Sequence, residues 1–403
     1  MKKDVYNHEG RYKTWKEDAV LYGIDGLTKE NSDMVLRYLI DMETGTNISI
    51  KNKKGARSYP RLNNLKQRMR QLLILLQNRG VTNIIQVTDS QINALFNDMR
   101  SGAIATKNGE AYRSAGDYAK VFASFWHWWM KVNRKVGIGI IDLTEDLDKS
   151  SPEGRFVYIT KEQLDLMLPY LTEEEQIIIC FIFDTLIRAP TELMSMKVNN
   201  VFIKDGQVWI TIPKEISKIT NFERRFNLLY CGDALIEYIA KKGLKPNDYL
   251  FDFKHSLLTE KLHKVGKQLF GEGVSDPSAG GKYEELSMYD FRHAGAVHYR
   301  ILASKNAKIT LDSIRQRGGW SDFKMLNYYT KFIGIDGSID KNDLIIPEDK
   351  TKMEKEIEEL KKNDSLMAKK FMGLLEILKQ HPEEMKIIFK ENKKEIRELF
   401  VSC

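Results

Sequence analysis

"GGWSDFKMLNYYTKF" (residues 318–332) poses the question on which the fold turns. Gly318 and Gly319 punctuate the chain, Trp320 follows at once, and Tyr328 and Tyr329 stand side by side before Thr330 and Lys331. Glycine pairs mark turns, so the indole emerges from a turn and the second phenol lies nine residues beyond it. Packing explains many such aromatic residues. The alternative is that one of the tyrosines is a nucleophile.

Two upstream segments bear on that choice. "DTLIRAPTEL" (184–193) puts Arg188 at the end of an apolar helical run, just before Pro190, with Glu192 four residues on. Alone, Arg188 reads as a cation serving a helix C-terminus. "SMYDFRHAGAVHYR" (287–300) offers Tyr289, then Arg292 with His293 beside it, whereas His298 reads as structural. Between the two segments lies "VFIKDGQVWITIP" (201–213), in which Asp205-Gly206 separates two β-type runs and predicts a hairpin. "RRFNLLY" (224–230) is the candidate third strand, and "IPKEISKITNFERRFNL" (212–228) supplies Lys214 and Lys218 ahead of it. Helical patterns at 161–171 and 173–187 precede the hairpin, and more helices come after it.

In this order the motifs resemble the tyrosine recombinase (phage integrase) family. Its catalytic domain carries an Arg near a Glu-Leu pair, a hairpin Lys, an H-x-x-R-H motif, a His or Trp after glycine, and a nucleophilic Tyr. The resemblance implies Arg188 and Arg292 as the phosphate clamp, Lys218 (in preference to Lys214) as general acid, Trp320 as a hydrogen-bond donor and Tyr329 (in preference to Tyr328) as nucleophile. Glu192 and His293 then support the site from behind. Tyr289 departs from the pattern, because it stands where the family has its first His. A phenol with a pKa near 10 is a poor base at neutral pH, so a modified site is expected. The implied activity is site-specific DNA recombination or integration through a 3′-phosphotyrosine, with no metal, nucleotide or other cofactor. A type IB topoisomerase-like enzyme and a catalytically silent DNA-binding regulator on the same fold are the competing readings.

The rest of the chain fits a helical, DNA-clamping partner for that domain. Residues 51–80 carry nine Lys or Arg and no Asp or Glu, a block that attracts a polyanion by counterion release. Leu62, Leu65, Met69, Leu72, Leu73 and Leu76 form an apolar stripe through it, predicting a helix with one face in a core and Lys66, Arg68 and Arg70 outward. Lys51, Lys53, Lys54, Arg57 and Arg61 extend the cationic surface. Tyr118, Val121, Phe122, Phe125, Trp126 and Trp129 recur at helical spacing and read as core.

The whole is expected to be mainly α with a small antiparallel sheet (α+β). The expected divisions are an N-terminal extension (1–27), a helical core-binding domain (28–137), a linker rich in Gly, Asp, Ser and Pro (138–158), a catalytic domain (159–345) and a helical tail (346–403). In the tail, Met353, Ile357, Leu360, Met367, Phe371, Leu374 and Leu378 keep a heptad pattern interrupted by Asp364, which reads as an assembly element. The expected partners are double-stranded DNA and copies of the same chain, as a tetramer on paired sites.

At 403 residues, 42% hydrophobic and 30% charged, the chain suits several folded domains. It has no run of about 18 apolar residues to span a membrane and no secretory leader in "MKKDVYNHEGRYKTWKED". Three dispersed cysteines argue against a disulfide framework or zinc site, and a cytoplasmic, nucleoid-associated protein is expected. "GEGVSDPSAGGKY" (271–283) is no phosphate cradle, since Tyr283 comes after Lys282 where Ser or Thr would be needed.

Overall fold

A computed structural model describes residues 3–48, 55–217, 223–305 and 308–330, together with 360, 361, 363, 367, 369 and 372. Lys51, Lys53, Lys54 and Lys218 lie outside the described residues, as do all the heptad positions except Leu360 and Met367. The chain divides into two units, Met1–Ile333 and Gly334–Cys403. In the second, Leu360 and Met367 are helical and exposed.

The first unit begins with five helices, α1 (His8–Tyr22), α2 (Lys29–Thr44), α3 (Tyr59–Gln77), α4 (Asp89–Ser101) and α5 (Ala115–Arg134). Their ends obey capping chemistry. Thr28 Oγ1 accepts from the Asn31 amide at the start of α2, and Thr88 with Gln91 forms a reciprocal box at the start of α4. The predicted stripe of α3 is buried in full, from Leu62 to Leu76. It packs with Tyr12 of α1, Val35, Tyr38 and Leu39 of α2, and Phe122, Phe125 and Trp126 of α5. On α5, however, Trp128 and not Trp129 is the wholly buried indole, held by donation from its Nε1 to Asp41 Oδ2 at 2.7 Å. Helix α1 is not signalled by periodicity, yet Tyr12 and Ala19 anchor it to this core.

A second hydrophobic cluster forms around α6 (Lys161–Met167), α7 (Glu173–Thr185), β1 (Val201–Lys204), β2 (Gln207–Ile212), β3 (Arg224–Asn227), α8 (Gly232–Lys242), α9 (His255–Phe270) and α10 (Met288–Lys305), and a third joins α10 to α11 (Leu311–Gly318) and α12 (Lys324–Thr330) through Val297, Ile314, Leu326 and Tyr329. The strands make one antiparallel sheet in the order β1-β2-β3. The hairpin turns where predicted, with Lys204 opposite Gln207 and both Asp205 (φ 50°) and Gly206 (φ 71°) in the left-handed region.

Helices α7 and α10 pack closely at the centre of this region. Thr172 and Glu175 cap α7, whose first turn carries Glu173, Glu174 and Glu175 against the helix dipole. It then buries nearly every side chain from Ile177 to Thr185. Helix α10 crosses it at Gly295, where a Cβ would fall 2.1 Å from Phe183 O, so only glycine permits that approach.

Candidate active site

Helix α7 ends at Leu186, itself left-handed at φ 53°, and the chain turns sharply through Arg188. The turn is closed by the Glu192 and Leu193 amides donating to Arg188 O. Arg188 therefore points back across the end of α7 towards α10, which brings Tyr289, Arg292 and His293. The end of α11 and the start of α12 add Trp320 and Tyr329. Arg188 (5% exposed), Arg292 (0%), Trp320 (3%) and Tyr329 (1%) are all buried there, while Tyr289 (36%) reaches the surface.

The Gly318-Gly319 pair has a steric cause. Gly319 caps α11 at φ 62°, and a Cβ on it would lie 2.8 Å from Arg224 Cζ. A Cβ on Gly318 would strike the Trp320 ring at 2.6 Å. Space is needed because three arginines converge on this helix end. Arg224 Nη1 donates to Arg317 O at 2.9 Å, Arg292 Nη2 to Gly318 O at 2.6 Å and Arg188 Nη2 to Gly319 O at 3.2 Å. The last carbonyls of a helix lack intrahelical partners and carry its negative pole, so they make a natural seat for guanidiniums. Arg292 Nη1 also donates to Leu186 O, tying the end of α7 to the end of α11.

Glu192 binds the arginines from the other side. Its Oε1 accepts from Arg188 Nη1 at 2.8 Å and its Oε2 from Arg224 Nη2 at 2.7 Å, with no exposure to solvent. Burial alone would raise this carboxyl, but Arg224 and Arg188 hold it at about 2. Burial, with Arg188 close by, lowers Arg292 to about 10, so it remains charged at neutral pH. The Arg292 guanidinium lies 5.1 Å from the Trp320 ring centre and 5.9 Å from that of Tyr289.

The two tyrosines of the pair face different ways. Tyr328 donates its hydroxyl to Gly154 O in the segment joining the two helical regions. Tyr329 turns inward, stacked on His293 at 4.2 Å between ring centres and flanked by Trp320 at 5.7 Å and Phe156 at 5.8 Å. Its hydroxyl lies near the Tyr289 phenol. Burial and the Tyr289 phenol push Tyr329 well above the ordinary phenol value, with Arg292 acting against them. His293 is driven down to about 3 by burial and by Arg292, so it is neutral and presents a flat face to Tyr329.

Of the residues singled out in the sequence, Arg188, Glu192, Tyr289, Arg292, His293, Trp320 and Tyr329 thus come together. Lys214 is exposed. The α3 cations lie in the other helical region and are partly engaged. Arg68 pairs with Asp117 at 3.0 Å, Arg70 with Asp25 at 2.6 Å, and Lys66 sits over the Trp15 ring at 4.8 Å. Lys66 and Arg70 line a cleft of about 600 Å³ with Arg11, Trp15 and Asn63.

Arg224 is not marked out by the sequence motifs. Its register is the signal, since it pairs with Ile212 of β2, a wholly buried position, which puts its side chain on the core face of the sheet. The partnership of Arg317 with Asp184 is equally unmarked. Arg317 Nη1 donates to Asp184 Oδ1 at 2.8 Å, and that buried carboxylate also accepts from Tyr299 Oη and from the Leu229 and Tyr230 amides. Among the described residues, no group of three or more His, Cys, Asp or Glu is placed to hold a metal, and no helix is long and apolar enough to cross a membrane.

The fold recurs in solved DNA recombinases. XerH site-specific recombinase bound to difH substrate in a pre-cleavage complex superposes with a TM-score of 0.51 at 14% identity, over 79% of this chain and 96% of that one. A lambda integrase dimer bound to a COC' core site gives 0.54 at 10%, over 82% and 88%. A lambda integrase tetramer bound to a Holliday junction gives 0.52 at 12%, over the same shares. No curated protein sequence matches the chain.

The architecture, mostly helical with one small antiparallel sheet, is the fold of those solved recombinases. Residues 158–332 match the phage integrase family. Over that segment the chain is similar to the family.

Proposed function

We propose that this chain cleaves and rejoins double-stranded DNA at specific sites, with Tyr329 as the nucleophile and a 3′-phosphotyrosine as the intermediate. The observation that carries the reading is the convergence of Arg188, Arg292, Trp320, Tyr289 and Tyr329 at the ends of α7 and α11. The phenolic oxygen bonds to phosphorus as the bond to the 5′-oxygen breaks. The phenol's proton passes to solvent water, and the leaving oxygen gains one from a general acid, for which Lys218 is the candidate. Because the phosphodiester's energy is retained in the phosphotyrosine, rejoining needs no ATP. The extra charge at phosphorus is met by guanidiniums, which hold phosphate oxygens by paired, charge-assisted hydrogen bonds.

Tyr329 is covered, so attack on a phosphate requires α12 to shift. Tyr289, at the surface beside Arg292, would hydrogen-bond a phosphate oxygen or the attacking phenol. His293 supports the Tyr329 ring from below. The α3 cleft with Lys66 and Arg70 supplies the sequence-independent part of DNA binding, and strand exchange is carried out by a tetramer on paired sites. A silent regulator on this fold is favoured by Tyr289 and by the covered phenol. A nicked suicide substrate decides between the two. Covalent DNA–protein complex with the natural chain, lost in Tyr329→Phe at unchanged DNA affinity, is expected of the enzyme. Binding without any covalent complex would overturn that reading.

A further inference from the structure

A third arginine shares the site, and its part there rests on the function proposed for the chain. Arg224 is 2% exposed. Its guanidinium is fixed by Glu192 Oε2 at 2.7 Å on one side and by Arg317 O at 2.9 Å on the other, and Gly319 packs directly on its Cζ. It is thus walled off behind the carboxylate and the glycine turn, whereas Arg188 and Arg292 stand beside Trp320 and Tyr329. Among the described residues its hydrogen bonds go to Glu192 and to Arg317 O, and none goes to Trp320 or Tyr329.

The charge balance shows what it does instead. Among the described residues, three guanidiniums, those of Arg188, Arg224 and Arg292, stand around the Glu192 carboxylate, giving a net charge of +2. The nearby Arg317 adds nothing, because Asp184 matches it at 2.8 Å. A phosphodiester carries one negative charge, and attack by a phenolate makes the pentacoordinate state doubly negative. Without Arg224 the same cluster would offer only +1, and Glu192 would draw Arg188 wholly to itself.

We propose that Arg224 is a positioning residue of this enzyme. By taking up the charge of Glu192, it leaves Arg188 and Arg292 with two uncompensated positive charges, matched to the transition state and not to the ground-state phosphate.

Single-turnover cleavage of a saturating nicked suicide substrate tests this in a double-mutant cycle of the full chain. Arg224→Met should slow cleavage by about 10²-fold, the scale of losing one preorganised electrostatic partner, while DNA affinity stays within about twofold of wild type. Adding Glu192→Gln to Arg224→Met restores the net +2 and should recover the rate to within about tenfold of wild type. A purely structural role for Arg224 would not give that rescue. If Arg224→Met alone does not fold, the double variant is compared with Glu192→Gln alone, and the two should cleave within about tenfold of each other. The inference is overturned if Arg224→Met cleaves at the wild-type rate, if its loss appears equally in DNA affinity, or if the double variant is slower than either single one. A natural chain that binds DNA and never forms the covalent complex overturns the reading of function as well.

Discussion

Glu192 allows the sharpest test of how the site is held together, because it is fully buried and binds both Arg188 and Arg224. Glu192→Gln keeps the side chain's shape and removes its charge. In the folded chain the carboxyl is held at about 2, against 4.5 ordinarily. At about 1.4 kcal/mol for each tenfold change, that corresponds to about 3 kcal/mol of folding free energy at neutral pH. A depressed carboxyl contributes stability that is fully present above its unfolded value and is lost as the pH falls towards its folded value. The window therefore runs from about 4.5 down to about 2. Integrating across the accessible part, about 2 kcal/mol of the wild-type advantage should vanish between about pH 6 and about pH 3. Urea denaturation of both proteins at a series of pH values measures this, and the difference between the curves isolates Glu192 from other carboxylates. A difference that stays flat through the window, or a variant as stable as wild type at neutral pH, would refute the argument that two arginines are held by one buried anion.

Contacts elsewhere give two more expected outcomes. Asp184→Asn leaves Arg317, whose side chain is 11% exposed, without its anion; it should cost about 3–5 kcal/mol by urea denaturation, and a loss below about 1 kcal/mol would show that the network is unimportant. Replacing Lys66 and Arg70 by Gln should weaken DNA binding across sequences and flatten the log–log salt dependence by about one unit for each lost phosphate contact. An unchanged slope would remove the α3 cleft from the DNA interface.

Particular residues show why part of the fold was legible in the sequence. The β1–β2 hairpin was, because Asp205-Gly206 accepts the two left-handed conformations that few other pairs tolerate. The α3 stripe was, since every third or fourth residue from Leu62 to Leu76 is apolar. Helix α1 was not. Its buried residues are only Tyr12 and Ala19, while Val20, Leu21 and Tyr22 are exposed at its end, so apolarity does not mark the packed face. On α5, the choice between Trp128 and Trp129 depended on Asp41, a partner 87 positions away along the chain.

The site divides in the same way. Arg188, Arg292, Trp320 and Tyr329, singled out by their resemblance to the family's motifs, are brought together by the fold. Arg224 and Asp184 were not singled out. Each owes its place to strand register or to a buried partner far off in sequence, and an arginine beside another arginine at the start of a strand carries no mark of which one turns inward. The reason for Gly318 and Gly319 was equally hidden, since it lies in the Trp320 ring and Arg224 guanidinium packed against them.

The most direct test is to trap the natural chain on a nicked DNA duplex, digest the complex and locate the nucleotide-bearing peptide by mass spectrometry. The adduct is expected on the inward-facing phenol of Tyr329, joined to a 3′-phosphate. An adduct on Tyr328, on a residue outside α12, or on no residue at all would contradict the account.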